Sequence, residues 1–268
     1  MRGIAATRTY GPRTDVGLAA GAAGLGAHRA TYLAAEPSSR RYLIEAVGLL
    51  LAGLMSLVGV VSGAAILTIF GITGVVLIGG RLLVDVLWLV YVRERNRGSR
   101  LDLYERGLVV RIGGAARAVR YDSTTLRRSI VEHANNPAPN QISHSYTVVD
   151  TVGTPVVLRQ GIEHPDRWGP EIDQAISDAQ LPSAAAALAA GGRLDFEYFW
   201  MTETAIGAGQ RQALWADVTD ISVHKGWVRV DVAGQPRPLE SLPVSLIPNF
   251  TVFLTLAQRL RAAHAAGQ

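Results

Sequence analysis

The chain has 268 residues, 49% hydrophobic and 18% charged, with a formal net charge of +4 carried almost wholly by arginine, since Lys225 is its one lysine. Soluble domains run nearer a quarter charged, so the deficit marks a chain with an apolar segment set apart from the rest. The absence of cysteine excludes disulfides, iron–sulfur clusters, thiolate zinc sites and cysteine nucleophiles together.

Residues 1–39 are rich in Ala, Gly and Arg. The run from Val16 to Ala27 is too diluted by glycine for a signal-peptide core and lacks a clean small-residue cleavage site. It reads as a flexible N-terminal cytoplasmic tail with at most one short helix. From Tyr42 to Val92 the charged residues are Glu45, Arg81 and Asp85, and none lies between Ala46 and Gly80. That run exceeds the ~20 residues needed to cross a bilayer once. A turn at Val61-Ser62-Gly63-Ala64 resolves the excess, giving a transmembrane helical hairpin over 40–97 with helices at about 42–62 and 65–92. A single long span is the alternative.

Arg40 and Arg41 precede the first helix, and Arg93, Arg95, Arg97 and Arg100 follow the second, whereas the turn is uncharged. The positive-inside rule then puts both termini in the cytoplasm of a two-pass protein of the inner (plasma) membrane. An antiparallel hairpin folded about 63–64 sets Glu45 near Arg81 and Arg41 near Asp85, with Arg81 and Asp85 also one turn apart. These four are candidate intramembrane ion pairs, structural in the simplest reading; a transport role for Glu45, Arg81 and Asp85 is the alternative. Gly48, Ala52, Ser56, Gly59, Gly63, Gly71 and Gly74 suit close helix packing.

Beyond Gly98 the pattern is of short strands. Candidates are 100–104, 108–112, 117–121, 126–132, 142–150 and 155–160, then a helix over 165–179 closed by Pro182. A second block repeats the order: a short helix at 184–190, strands at 193–201, 204–208, 211–215, 221–224 and 228–232, and a closing helix begun by Pro248-Asn249. Phe196, Tyr198, Phe199 and Trp200 are expected to alternate across one strand. Tyr104 to Val109 matches Met201 to Ile206, and Arg120-Tyr121-Asp122 matches Leu214-Trp215-Ala216-Asp217. The expected fold is thus α+β: the N-terminal hairpin, then two small pleckstrin-homology (PH)-like β-barrel domains, 98–182 and 183–268, each capped by a C-terminal helix. A soluble fragment 98–268 is expected to fold alone.

At Asp102-Leu103-Tyr104-Glu105-Arg106-Gly107-Leu108-Val109 and at Ile247-Pro248-Asn249-Phe250-Thr251-Val252-Phe253-Leu254 the chain resembles the actinobacterial membrane proteins of unknown function that join a transmembrane hairpin to tandem PH-like domains. Trp215-Ala216-Asp217-Val218 fits that pattern, as do Leu25-Gly26, Arg29 and Tyr32. The resemblance spans about 25–262 and implies architecture, with no catalytic residues.

No phosphate loop, HExxH pair or GxSxG elbow is present. His133 and His144 flank an Asn-Pro loop and lack a third metal ligand, so neither a metal nor a cofactor is expected, and no catalytic residue is assigned. Arg111, Arg117 and Arg120 are candidates for an anionic lipid head group near the first hairpin, while Arg127 and Arg128 point to opposite faces with Asp122 as a possible partner. No aromatic–basic platform for nucleic acid stands out. The expectation is a non-enzymatic, membrane-anchored interaction module whose partners are the bilayer and a protein or anionic lipid head group.

Overall fold

The computed structural model describes residues 14–35, 40–112, 114–132, 142–159 and 161–265. They form two compact units: an apolar hairpin, residues 34–98, and a second unit that joins the chain on either side of it.

In the hairpin, α2 (Arg40–Ser62) and α3 (Ala65–Asn96) are joined at Gly63 and Ala64. Gly63 takes φ +70°, a conformation that costs glycine nothing, and the Ala64 N–H returns to the Gly59 carbonyl at 2.9 Å. Tyr42–Ser62 and Ala65–Glu94 have mean hydropathies of 2.2 and 2.1 and leave nearly all their apolar side chains uncovered, so both are long and apolar enough to cross a membrane. Small residues let the helices meet. A Cβ on Gly71 would stand 2.4 Å from the Ser56 backbone nitrogen, one on Gly59 2.4 Å from that of Thr68, and one on Gly74 2.9 Å from the Ala52 Cβ. The close approach is therefore possible only with glycine there.

The other unit starts within the stretch expected to be a tail. Residues 14–33 contain α1 (Thr14–Ala22) and β1 (His28–Leu33). Strand β1 pairs antiparallel with β2 (Arg100–Tyr104), Leu33 against Arg100, with a bulge between His28 and Ala30. Its Ala30 and Tyr32 pack on the first core, and Val16 and Ala20 of α1 bury with Leu25, Tyr104 and Val109 on the other side of the sheet. The apolar hairpin is thus inserted between the first two strands of a sheet, and the expected boundary at residue 98 cuts that sheet.

β3 (Gly107–Ile112) and β4 (Ala115–Arg120) complete an antiparallel sheet in the order β1-β2-β3-β4. A second sheet follows, β5 (Arg127–Glu132), β6 (Ile142–Val149) and β7 (Pro155–Leu158). Then comes α4 (Pro165–Ala189). The same series recurs. β8 (Leu194–Phe196), β9 (Phe199–Met201), β10 (Ala205–Ala208) and β11 (Arg211–Leu214) make a four-stranded sheet, and β12 (Val218–His224), β13 (Trp227–Val232) and β14 (Glu240–Pro243) a three-stranded one, before α5 (Phe250–Ala265). Each half therefore reads four strands, three strands, helix. None of the described sheets closes into a barrel, contrary to the expected architecture.

Matching backbone bonds mark the repeat. The Tyr121 N–H donates to the Arg106 carbonyl, and the Trp215 N–H to that of Thr204, each at 3.1 Å. Since Gly107 opens β3 and Ala205 opens β10, the second turn is one residue longer than the alignment of Tyr104–Val109 with Met201–Ile206 allows.

Three further expectations are corrected. Pro182 does not end a helix; α4 runs through it. Proline removes one N–H and crowds the preceding turn, but this helix is held on both sides of the proline. Trp168, Ile172 and Ile176 bury in the first core, while Leu188 buries in the second with Leu181, Ala184 and Ala185 against it. The expected domain boundary at 182/183 consequently lies inside one helix. The expected strand 193–201 is a hairpin, turned at Glu197 (φ +67°) and Tyr198, so Phe196 and Phe199 pair and both bury while Tyr198 is exposed. Strand β14, paired with β13, has no counterpart among the expected strands.

Candidate functional site

Where the chain leaves β1 and returns on β2, four polar side chains converge. Arg100 and Asp102, two apart on one strand, share a face. Arg100 grips the carboxylate with two bonds, Nε to Oδ2 at 2.5 Å and Nη2 to Oδ1 at 2.7 Å. The Thr31 hydroxyl donates to Oδ1 at 2.5 Å, and His28 Nε2 lies 3.2 Å from that oxygen and 2.9 Å from the Thr31 hydroxyl. Asp102 is wholly buried and Arg100 nearly so. A buried ion pair is tolerable only when its remaining polar atoms are bonded, and here Thr31 and His28 meet that need. With the Thr31 proton committed to the carboxylate, the group clamps β1 to β2 and activates no nucleophile.

The His28 ring stands edge-on to Tyr104, centroids 5.3 Å apart. The Tyr104 hydroxyl is buried without a partner among the described residues. Burial, and then the Asp102 charge, push its pKa up.

The three lipid candidates do not converge. Arg111 bonds Asp15 of α1 at 3.3 Å and the Gly114 carbonyl at 3.2 Å. Arg120 reaches the Ala23 carbonyl just beyond α1 at 3.2 Å and clasps Asp122 in a two-bond fork. Both serve to seat α1 on the outer face of the sheet. Arg117 alternates to the opposite face from Ala116 and Ala118, which pack under α1. Asp122, whose pKa is lowered chiefly by the Arg120 hydrogen bond, thus partners Arg120 rather than Arg127 or Arg128. Arg127 instead pairs with Glu197. Arg128 bonds Asp173 at 2.6 Å and lies 4.9 Å over the Phe250 ring.

In the hairpin, Arg81 Nε is 3.5 Å from Glu45 Oε1 and 4.0 Å from Asp85 Oδ2. The side chain of Arg41 lies outside the described residues, as does His133. His144 stacks on Tyr146, its Nδ1 buried without a partner among the described residues. Among the described residues no three His, Asp or Glu side chains are grouped to hold a metal ion.

A cleft of about 210 Å³ that no sequence pattern announces lies between the first sheet and α4, lined by Arg29, Tyr104, Tyr121, Glu171, Gln174, Ala175 and Asp178. The β1 bulge carries Arg29, and Tyr121 follows β4. Glu171, Gln174 and Asp178 recur at helical spacing along the solvent side of α4, a stripe that looks like ordinary solvated charge until β1 is placed beside it. The Tyr32 hydroxyl donates to Glu171 at 3.3 Å and the Gln174 amide to Asp178 at 2.8 Å.

Residues 14–266 match a family described as Family of unknown function (DUF6585). The chain belongs to that family. The match begins at α1 and ends at α5, so the DUF6585 unit includes the N-terminal helix and strand as well as the hairpin and both repeats. No curated protein matches the chain, and no solved structure does.

Proposed function

We propose that the protein is a non-enzymatic, membrane-anchored interaction module, in which the hairpin spans the plasma membrane and two PH-like modules at the cytoplasmic face receive a protein or lipid head-group partner. The observation that carries this reading is the pairing of Leu33 with Arg100. Both arms of the apolar hairpin issue from adjacent strands of one sheet, so the soluble unit is tied to the anchor through two short connections. The recurrence of four strands, three strands and a helix supports the PH-like assignment. The arginines at both ends of the hairpin and the uncharged turn at Gly63 support cytoplasmic termini. The carboxylates around Arg81 favour a structural ion pair over a transport path.

The chain lacks cysteine, which makes single-site labelling clean. A cysteine at Gly63 should react with an impermeant maleimide on intact cells, and one at Ser183 only after permeabilisation. Recovery of the intact chain in the aqueous fraction, or labelling of both sites from outside, overturns the proposal.

A further inference from the structure

The cleft between β1, the start of the loop after β4 and α4 has the chemistry of a small binding site. The Tyr104 hydroxyl on its lining is buried without a partner among the described residues, although a buried hydroxyl ordinarily finds one. Tyr121 is 2% exposed, and its hydroxyl makes no hydrogen bond among the described residues. Burial is the main cause of its raised pKa, with the Glu171 carboxylate adding to it and Arg29 opposing; the hydroxyl therefore keeps its proton and remains a donor. Arg29 makes no ion pair among the described residues. Glu171 and Asp178 each accept a neutral hydrogen bond, from Tyr32 and Gln174, and among the described residues neither meets a cationic side chain within ion-pair distance.

These groups select a charge pattern. Two carboxylates against one guanidinium repel a simple anion. A simple cation leaves the donors Arg29 and Tyr121 unmatched. A volume of about 210 Å³ lies below the several hundred Å³ of drug-sized sites, so the ligand is small. We propose that the cleft binds a small zwitterion in which a primary ammonium lies a few bonds from one negative charge, the anion meeting Arg29 and the Tyr121 hydroxyl and the ammonium meeting the Asp178 end of α4. An ethanolamine phosphodiester has this chemistry, whether as a free solute or as a lipid head group. The inference concerns the soluble unit alone and does not depend on the membrane reading.

The test is calorimetric titration of the full-length chain in non-ionic detergent with glycerophosphoethanolamine. Saturable binding is expected, with ethanolamine and glycerol phosphate, each of which carries charge of one sign only, at least about tenfold weaker. A charge-assisted hydrogen bond is worth about a factor of ten, so Arg29→Gln and Asp178→Asn should each weaken binding by about that much. Both side chains are exposed, and an unchanged melting temperature will verify that each variant folds. No saturable binding, equal binding of glycerol phosphate, or binding unaffected by both variants overturns the proposal. Repeating the titration in nanodiscs separates the sources. Phosphatidylethanolamine competing with the solute, where phosphatidylcholine does not, identifies a lipid head group; no competition identifies a free solute.

Discussion

Asn249 joins the two halves of the mixed α/β unit: its Oδ1 accepts the Leu126 backbone N–H at 2.7 Å, and its Nδ2 donates to Gln180 Oε1 at 2.8 Å. The Gln180 amide in turn donates to the carbonyls of Tyr121 and Thr124 at 2.8 Å. Asn249 also holds φ +48°, a left-handed conformation that asparagine tolerates better than most residues. Asn249→Ala should therefore destabilise the unit by about 2–3 kcal/mol, from a stranded backbone N–H and a strained φ. The measurement is thermal or denaturant unfolding followed by tryptophan fluorescence. An effect under about 0.5 kcal/mol would mean that the halves do not depend on this junction.

The insertion of the hairpin between paired strands predicts that it can be removed. Leu33 and Arg100 are antiparallel neighbours, a spacing of about 5 Å that a short glycine-rich loop spans. Replacing residues 36–97 by such a loop should give a soluble, monodisperse protein with native β signal. Fragment 98–268 should instead aggregate or lose structure, since it lacks β1 and leaves β2 as a bare edge over an open core. Equal solubility and cooperativity of the two forms would contradict the assignment of β1.

Hairpin packing is testable with a matched pair of variants. A Cβ at Gly71 meets the Ser56 backbone at 2.4 Å, while one at Gly53 meets nothing within 4 Å. Gly71→Leu should lower the temperature at which the detergent-solubilised chain aggregates, and Gly53→Leu should leave it nearly unchanged. Loss of stability in both would point to a general intolerance of bulk rather than to this interface.

The Arg81 cluster predicts rescue by exchange. Arg81→Gln should reduce the yield of membrane-inserted chain, because Glu45 and Asp85 lose the guanidinium within 4.0 Å of each. The double exchange Glu45→Arg with Arg81→Glu should recover much of it. Failure of the exchange to improve on Glu45→Arg alone would exclude the pairing as the cause.

Alkaline pH supplies a further check. Burial raises the pKa of Tyr104, Tyr121 and Tyr146 above the ordinary 10.0. The folded protein keeps these protons while the unfolded chain loses them, so stability is undiminished below pH 10 and falls as pH climbs past it. The slope is about 1.4 kcal/mol per pH unit for each tyrosine still protonated only in the folded state. Absorbance at 295 nm should show the exposed tyrosines ionising first and these three rising with unfolding; a single early step for all would overturn the buried assignment.

The hairpin was legible because its signal is local: each residue from Ala46 to Gly80 is uncharged by itself, and no partner is needed to see it. The breaks between strands 100–104 and 108–112 and between 142–150 and 155–160, and the closing helix begun at Pro248-Asn249, were legible on the same ground. Strand β1 was not, since HRATYL has little pattern until it meets Arg100–Tyr104 across some seventy intervening residues. The continuity of α4 through Pro182 was hidden too, because local propensity argues for a break and only two cores gripping one helix outweigh it. The cleft depends on both of these. Arg29, Tyr121 and Glu171 are unremarkable in isolation, and it is the long-range pairing of β1 that brings them to one surface. Solvent preference can be read residue by residue along a chain, whereas strand partnership is a choice among distant segments that only packing of the whole unit decides.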